Sequence, residues 1–176
     1  LDGARVSPRA AYELRRMARH APRWEDEGGD PGALLAALFE LHRARWASRG
    51  APGVLDAPAL EGFLRDAAAA LHRRGLLRLS GLLLGGRLRA VLYGFTDHGR
   101  FLCYLSGFDP EIARLSPGRL LIARAIERAR LEGAFELDLL RDGAPYKDAW
   151  GAVDRPASIY RAALGGGSRS VRRAGR

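Results

Sequence analysis

One cysteine, one methionine and one lysine stand among 176 residues. The single thiol, Cys103, excludes an internal disulfide and any metal site built from several cysteines, and it fits a reducing, cytoplasmic setting. His20, His42, His72 and His98 make no ligand spacing with it, so no metal is expected and the histidines read as structural. No apolar stretch approaches the ~20 residues of a membrane-crossing helix. Leu82-Leu83-Leu84, set between Gly81 and Gly85, is strand-sized. The first residues lack the apolar block of a secretory signal. A start at Leu1, with the only methionine at Met17, reads as a piece of a longer protein.

What is abundant is arginine, and its placement matters more than the net charge of +9. Residues 1–24 hold six arginines against Asp2 and Glu13, and residues 165–176 hold four arginines and no acid. The stretch between is almost neutral, so the basicity belongs to the two ends. Aromatic residues, 8% of the chain, are not interleaved with basic ones, which speaks against a nucleic-acid surface. The length suits one domain with a proper core. Three parts are therefore expected: a basic leading helix and linker from a preceding domain (1–24), a folded domain (25–164), and a disordered basic tail (165–176) opened by Gly165-Gly166-Gly167.

Patterning gives the order of elements. A basic helix is expected over 7–20 and a short extended piece near Arg23-Trp24-Glu25. Asp30-Pro31 opens a helix whose stripe is Leu34, Leu35, Leu38, Leu41 and Trp46. Asp56 with Pro58 opens another, ended by Gly75. From Leu77 the period changes to two, and Gly85-Gly86 and Asp97-His98-Gly99 mark hairpin turns. Three antiparallel strands follow one another as far as Ser106. Ser116-Pro117-Gly118 then starts a helix that ends at Gly133, Phe135 to Leu140 is a strand, and Ser158 to Leu164 is one more.

The fold class is therefore α/β (α+β): a mixed sheet in which an antiparallel meander precedes a strand–helix–strand crossover, with helices on both faces. The crossover makes its flanking strands parallel, and where such a pair splays, the gap lies beside the helix N-terminus. At that start Ser116 can cap, Pro117 lacks an N–H, and Gly118 admits close approach. The amides of Gly118, Arg119 and Leu120 would then face an anion such as a pyrophosphate. Alternatively, Ser-Pro-Gly is only a well-formed helix start.

The run Ser106-Gly107-Phe108-Asp109-Pro110, then Ser116-Pro117-Gly118 with Leu120-Leu121, the strand Phe135 to Leu140, and Tyr146-Lys147 together resemble the bacterial FemAB-like members of the GNAT acyltransferase superfamily. This subfamily includes proteins associated with exopolysaccharide synthesis. Leu41 to Trp46 and Tyr12 to Arg19 resemble its first helices, and the likeness covers about residues 10–150. The resemblance implies a carrier, acyl-CoA, in the splay. Its pyrophosphate would lie at Ser116, Gly118, Arg119 and Leu120, with amides near Leu105, Ser106 and Gly107 polarising the thioester carbonyl. It also implies that relatives carry two tandem units, of which this is the C-terminal one. The Arg/Gln-x-x-Gly-x-Gly/Ala loop is altered: Arg114 precedes Gly118 by four positions and Leu120 replaces a small residue. The donor therefore stays open between acyl-CoA and aminoacyl-tRNA.

Direct aminolysis needs a base for the ammonium and an acid for the thiolate. Alternation over 135–139 puts Glu136 and Asp138 on one face, and a carboxylate on a central strand is partly desolvated, which makes Asp138 the candidate base. Its other reading is a structural ion pair or an ordered loop. Tyr146 is the candidate acid, or else packs as an aromatic. Lys147, Arg43 and Trp46 are candidate acceptor-side residues, with a solvated lysine and a core tryptophan as the alternatives. Three functions fit: an N-acyltransferase using acyl-CoA on a small amine, an aminoacyl-tRNA-dependent peptidyltransferase, or a catalytically silent GNAT-like binding domain in polysaccharide assembly.

Overall fold

The structure, a computed structural model, describes residues 7–26, 28, 31–140 and 145–156, without the side chains of residues 9, 10, 13, 145 and 146. The expected strand Ser158 to Leu164, the tail 165–176 and the expected cap Asp30 lie outside the described residues.

The elements run α1 (Pro8–Ala18), β1 (Arg23–Asp26), α2 (Pro31–Ala47), α3 (Pro58–Arg73), β2 (Leu77–Leu84), β3 (Arg87–Asp97), β4 (Arg100–Phe108), α4 (Pro117–Leu131), β5 (Glu136–Asp138) and α5 (Pro145–Asp148). Short 3₁₀ segments occupy Val54–Asp56 and Pro110–Leu115. The strands form one sheet in the order β1-β2-β3-β4-β5, antiparallel as far as β4 and parallel between β4 and β5. This is the meander-then-crossover architecture that the patterning requires.

Local chemistry explains the turns. Gly85 and Gly86 both take left-handed angles (φ +58° and +76°), as the tight β2–β3 hairpin demands. His98 and Gly99 do the same between β3 and β4. Pro58 opens α3 as read, but the N-cap is Ala57, without a side-chain bond. Asp56 instead accepts the Gly53 N–H at 3.0 Å and closes the 3₁₀ turn before it.

The two sheet faces carry separate cores. On one, α1 and α4 pack over Leu82, Leu92 and Phe101 with Met17, Leu121 and Ala125. On the other, α2 and α3 pack over Leu79, Val91 and Tyr93 with Leu38, Phe39 and Leu64. Met17 of α1 is fully buried, so the basic leading segment contributes a core residue to this same body. Among the described residues no helix is long and apolar enough to cross a membrane.

Two bulges bend the sheet. Gly94 faces Cys103 while Tyr93 faces Leu105, so Tyr104 is an extra residue in β4. Position 94 is glycine because a Cβ there would stand 2.6 Å from the Leu102 carbonyl oxygen. Leu82 faces Ala90 while Leu83 faces Leu88, so Arg89 is the extra residue in β3. Bulges increase local twist and re-aim side chains, and both of these lie on the way to the crossover.

Candidate active site

The parallel pair is joined over only three rungs: Arg100–Glu136, Phe101–Leu137 and Leu102–Asp138. β5 then stops, and Leu140 turns left-handed at φ +55°. β4 continues from Cys103 to Phe108 with no β5 partner among the described residues, starting with the Tyr104 bulge. On its other side it stays paired, with Leu105, Ser106 and Gly107 opposite Tyr93, Leu92 and Val91. Alternate residues of this overhang direct their backbone polar groups away from β3, toward the space β5 has left. Among the described residues the β4–β5 ladder therefore ends at Leu102–Asp138 while β4 runs on. Strand β5 is shorter than the expected Phe135 to Leu140, because the chain turns at Leu140 before the ladder can extend.

Asp138 stands on the last rung. Its Oδ1 accepts the Leu140 N–H at 2.7 Å, so the carboxylate orders the turn that ends β5. The Leu140 carbonyl in turn accepts from Lys147 Nζ at 3.1 Å. Lys147, only 9% exposed, is thereby held to the same turn as Asp138. Tyr146 lies in α5 beside it, but its side chain is outside the described residues. Cys103, just past the last rung, has its thiol pushed up to about 12 by burial and then by the charge of Asp138. It is an inert, neutral thiol within the field of that carboxylate.

Helix α2 crosses the overhang closely. A Cβ on Gly107 would sit 2.5 Å from the His42 backbone nitrogen and 2.8 Å from the Leu38 carbonyl oxygen, so only glycine admits this contact. His42 is buried, and its Nε2 accepts the Trp46 Nε1–H at 2.9 Å, which makes the ring neutral with its proton on Nδ1. Burial, and next the charge of Arg45, hold its pKa below the ordinary 6.5. Arg45 lies over the Phe108 ring at 4.5 Å, so α2 also grips the end of β4. Trp46 is half-buried against Gly53. Arg43 is exposed and pairs with Glu61, whose carboxyl is kept below its usual range by hydrogen bonds from Arg65 and then Arg43. Trp46 therefore packs on His42 and Gly53, whereas Arg43 faces α3.

The start of α4 differs in detail from its sequence reading. Ser116 occupies the N-cap but makes no side-chain cap bond. Its backbone is left-handed (φ +55°), because its N–H closes the 3₁₀ segment on Ala113, and the extended geometry that aims a capping hydroxyl is lost. The Arg119 N–H is not open to a ligand either, since it donates to the Ser116 carbonyl at 2.9 Å. Gly118 remains accessible: among the described residues nothing lies within 4 Å of where its Cβ would be. Leu120 is buried and Arg119 half-buried. Two grooves lie nearby, neither lined by β4 or β5. One, of about 400 Å³, runs between α1 and the Pro110–Leu115 segment past Arg16, His20 and Arg114. The other, of about 320 Å³, is apolar and lies along α4 beside Trp150.

Sequence reasoning missed two groups. Arg128, 8% exposed, donates to the Leu79 carbonyl (2.8 Å) and Ser80 Oγ (3.0 Å) and pairs with Asp26 (3.4 Å). Its signal was an arginine three residues after Ala125 on the apolar face of α4. The other is Arg89, whose bulged position no local pattern announces.

With this geometry in place, comparison with known proteins is informative. The pattern of the acetyltransferase (GNAT) domain matches residues 8–148. The chain belongs to the GNAT acetyltransferase family. This GNAT domain resembles the aminoglycoside acetyltransferase AAC(6')-Iy, solved with the bisubstrate analog CoA-S-monomethyl-acetylneamine, at TM-score 0.58 and 13% identity over 81% of this chain and 99% of that one. A predicted acetyltransferase from Clostridium acetobutylicum, solved with acetyl-CoA, aligns at TM-score 0.56 and 10% identity over 78% and 94%. The aminoglycoside acetyltransferase meta-AAC0020 from an uncultured soil metagenomic sample, with sisomicin, aligns at 0.55 and 14% over 81% and 97%. At these identities the likeness is one of fold. A comparison with curated proteins gives no match. Among the described residues no cluster of potential ligands for a metal ion occurs.

Proposed function

We propose that this GNAT domain moves an acyl group from acyl-CoA to a primary amine by direct attack, without a covalent enzyme intermediate. The observation that carries the reading is the unpaired overhang of β4, open on the side β5 has left, in a domain whose α4 start is bare at Gly118. Similar folds solved with acetyl-CoA and with a CoA bisubstrate analog support the choice of carrier.

When bound, the carrier supplies an electrophilic thioester carbonyl. The overhang Leu105, Ser106 and Gly107 offers backbone N–H groups to the oxygen of that carbonyl, stabilising the charge it gains on attack. The pyrophosphate end meets the first turn of α4 at Gly118, which admits close approach, with the positive end of the helix dipole and the charge of Arg119 beside it. Asp138 takes a proton from the acceptor ammonium through the carboxylate oxygen not engaged by Leu140, which frees the amine lone pair for attack. The amine nitrogen bonds to the carbonyl carbon, the carbon–sulfur bond breaks, Tyr146 gives a proton to the leaving thiolate, and the proton the nitrogen sheds as the amide forms restores the tyrosine. Trp46 walls the acceptor side. Lys147 acts through the Leu140 carbonyl to keep Asp138 in register, whereas Arg43, paired with Glu61 of α3, is left out of the site.

Calorimetry and acyl-transfer assays with acetyl-CoA and longer acyl-CoAs, against aminoglycosides, amino sugars and amino acids, test this. Asp138→Asn should lower kcat by roughly 100-fold while leaving carrier affinity within about twofold. An equal loss of turnover and affinity would remove the base role. Binding of tRNA with a steep salt dependence, and none of acyl-CoA, would replace the donor by aminoacyl-tRNA. Binding of neither would leave the silent-domain reading.

A further inference from the structure

The start of α4 is not held by a cap from its own side chains. Its N-cap, Ser116, is also the residue that ends the 3₁₀ segment Pro110–Leu115, with its N–H bonded to the Ala113 carbonyl. Whatever holds that segment therefore holds the bare turn at Gly118, and the contacts trace back to one side chain in β3.

Arg89 is the bulged residue of β3, released from the β2 ladder and so free to aim elsewhere. Its carbonyl accepts the Asp109 N–H at 2.8 Å, the rung that follows the last β3–β4 pair. Its guanidinium then spans two carboxylates, Asp109 (Nε–Oδ2 3.3 Å) and Glu111 (Nη2–Oε2 2.9 Å). Asp109 uses its other oxygen to accept the Glu111 N–H at 2.9 Å, which starts the 3₁₀ segment. The Arg89 side chain is 14% exposed and Asp109 22%, so this pair is shielded, whereas Glu111 is 77% exposed. A second tether reaches the far end of the segment, where Arg16 of α1 donates to the Arg114 carbonyl at 3.0 Å.

We propose that Arg89 is a positioning residue for the carrier site, an inference that rests on the acyl-carrier reading above. Through Asp109 and Glu111 it sets where the 3₁₀ segment leaves β4, and hence where the first turn of α4 stands relative to the overhang. It touches neither the carrier nor the acceptor. A planar fork is needed because one side chain must meet two carboxylates in different directions, which a lysine ammonium on a flexible stem does poorly.

Arg89→Ala should weaken acetyl-CoA binding by roughly tenfold and raise KM for it to match, with kcat at saturation within about twofold. Arg89→Lys should recover about half of that loss on a logarithmic scale. Hydrogen exchange, measured without any carrier, should rise several-fold at 118–121 in Arg89→Ala but not at 128–132. Wild-type affinity in both variants, a fall in kcat at unchanged KM, or unchanged exchange in the first turn of α4 would each overturn the proposal. If Arg89→Ala does not fold, the lysine variant decides, since unchanged affinity and exchange in it would refute the role. Should the wild-type chain bind no acyl-CoA, the carrier reading itself fails. The exchange result then still supports or refutes the hold of Arg89 on α4.

Discussion

Helix α4 meets the rest of the protein in opposite ways at its two ends. Toward its C-terminus, Arg124 and Arg128 converge on Asp26 of β1, Arg128 also reaches Leu79 and Ser80 of β2, and Glu132 just beyond the helix joins Arg128 to Arg78. Each of these three arginines meets a carboxylate there. Toward its N-terminus no side chain caps the helix, Gly118 faces open space, and the neighbouring strand pair has parted. One helix is thus anchored where the sheet is continuous and left bare where the sheet opens. Stability and ligand capture can be separated along a single element when the buried charges are concentrated at one end.

Three substitutions sharpen this contrast. The largest effect is expected at the anchored end. Arg128→Ala takes a buried donor from the Leu79 carbonyl and leaves Asp26 with Arg124 as its remaining arginine, and it should cost about 2–3 kcal/mol in urea unfolding, while the folded fraction keeps its carrier affinity. At the bare end the pattern inverts. Gly118→Val should leave unfolding within about 0.5 kcal/mol, since nothing stands where the side chain would go. It should weaken acetyl-CoA binding by roughly tenfold, about 1.4 kcal/mol, by filling the approach. Equal losses of stability and affinity in either variant would erase the distinction between the ends.

The smallest effect concerns α2, which closes on the overhang at Gly107. Burial, with Arg45 next, holds the His42 pKa below 6.5, so the unfolded chain takes up a proton before the native one does. Its contribution is complete above about pH 6.5 and is lost as pH falls below that value. Wild-type protein should therefore lose more stability between pH 7 and pH 5 than His42→Gln, in thermal melts at matched ionic strength. Parallel pH profiles would show that the ring is not constrained by Trp46 and the α2–β4 contact.

The legibility of the molecule in its sequence followed the range of the interactions. Glycine pairs and Asp97-His98-Gly99 announced the hairpins because left-handed backbone is a local demand. Pro117 announced the start of α4 because its fixed φ and missing N–H suit the first helical turn. The change of period at Leu77 announced the meander, and the strand–helix–strand order required a parallel pair. Asp138 and Lys147, singled out separately, are found on one turn. Three local readings were altered by partners distant in sequence or by a neighbouring segment. Ser116 was read as a cap, but the 3₁₀ segment before it sets its backbone. Arg119 was read as offering a free amide, but Ser116 takes it. The strand after α4 was read as six residues, and the turn held by Asp138 and Lys147 limits it to three.

The sequence by itself determined the order of elements, their turns, the hydrophobic faces and the position of a bare helix start after the meander. These depend on spacing over a few residues and on backbone angles open to glycine and proline. Only the tertiary structure decided that the β4–β5 ladder ends at Leu102, that Arg128 is buried against Asp26, and that Arg89 is bulged out to govern the approach to α4. Those outcomes pair residues about twenty to a hundred positions apart, and sequence spacing carries no information about which distant charges will meet.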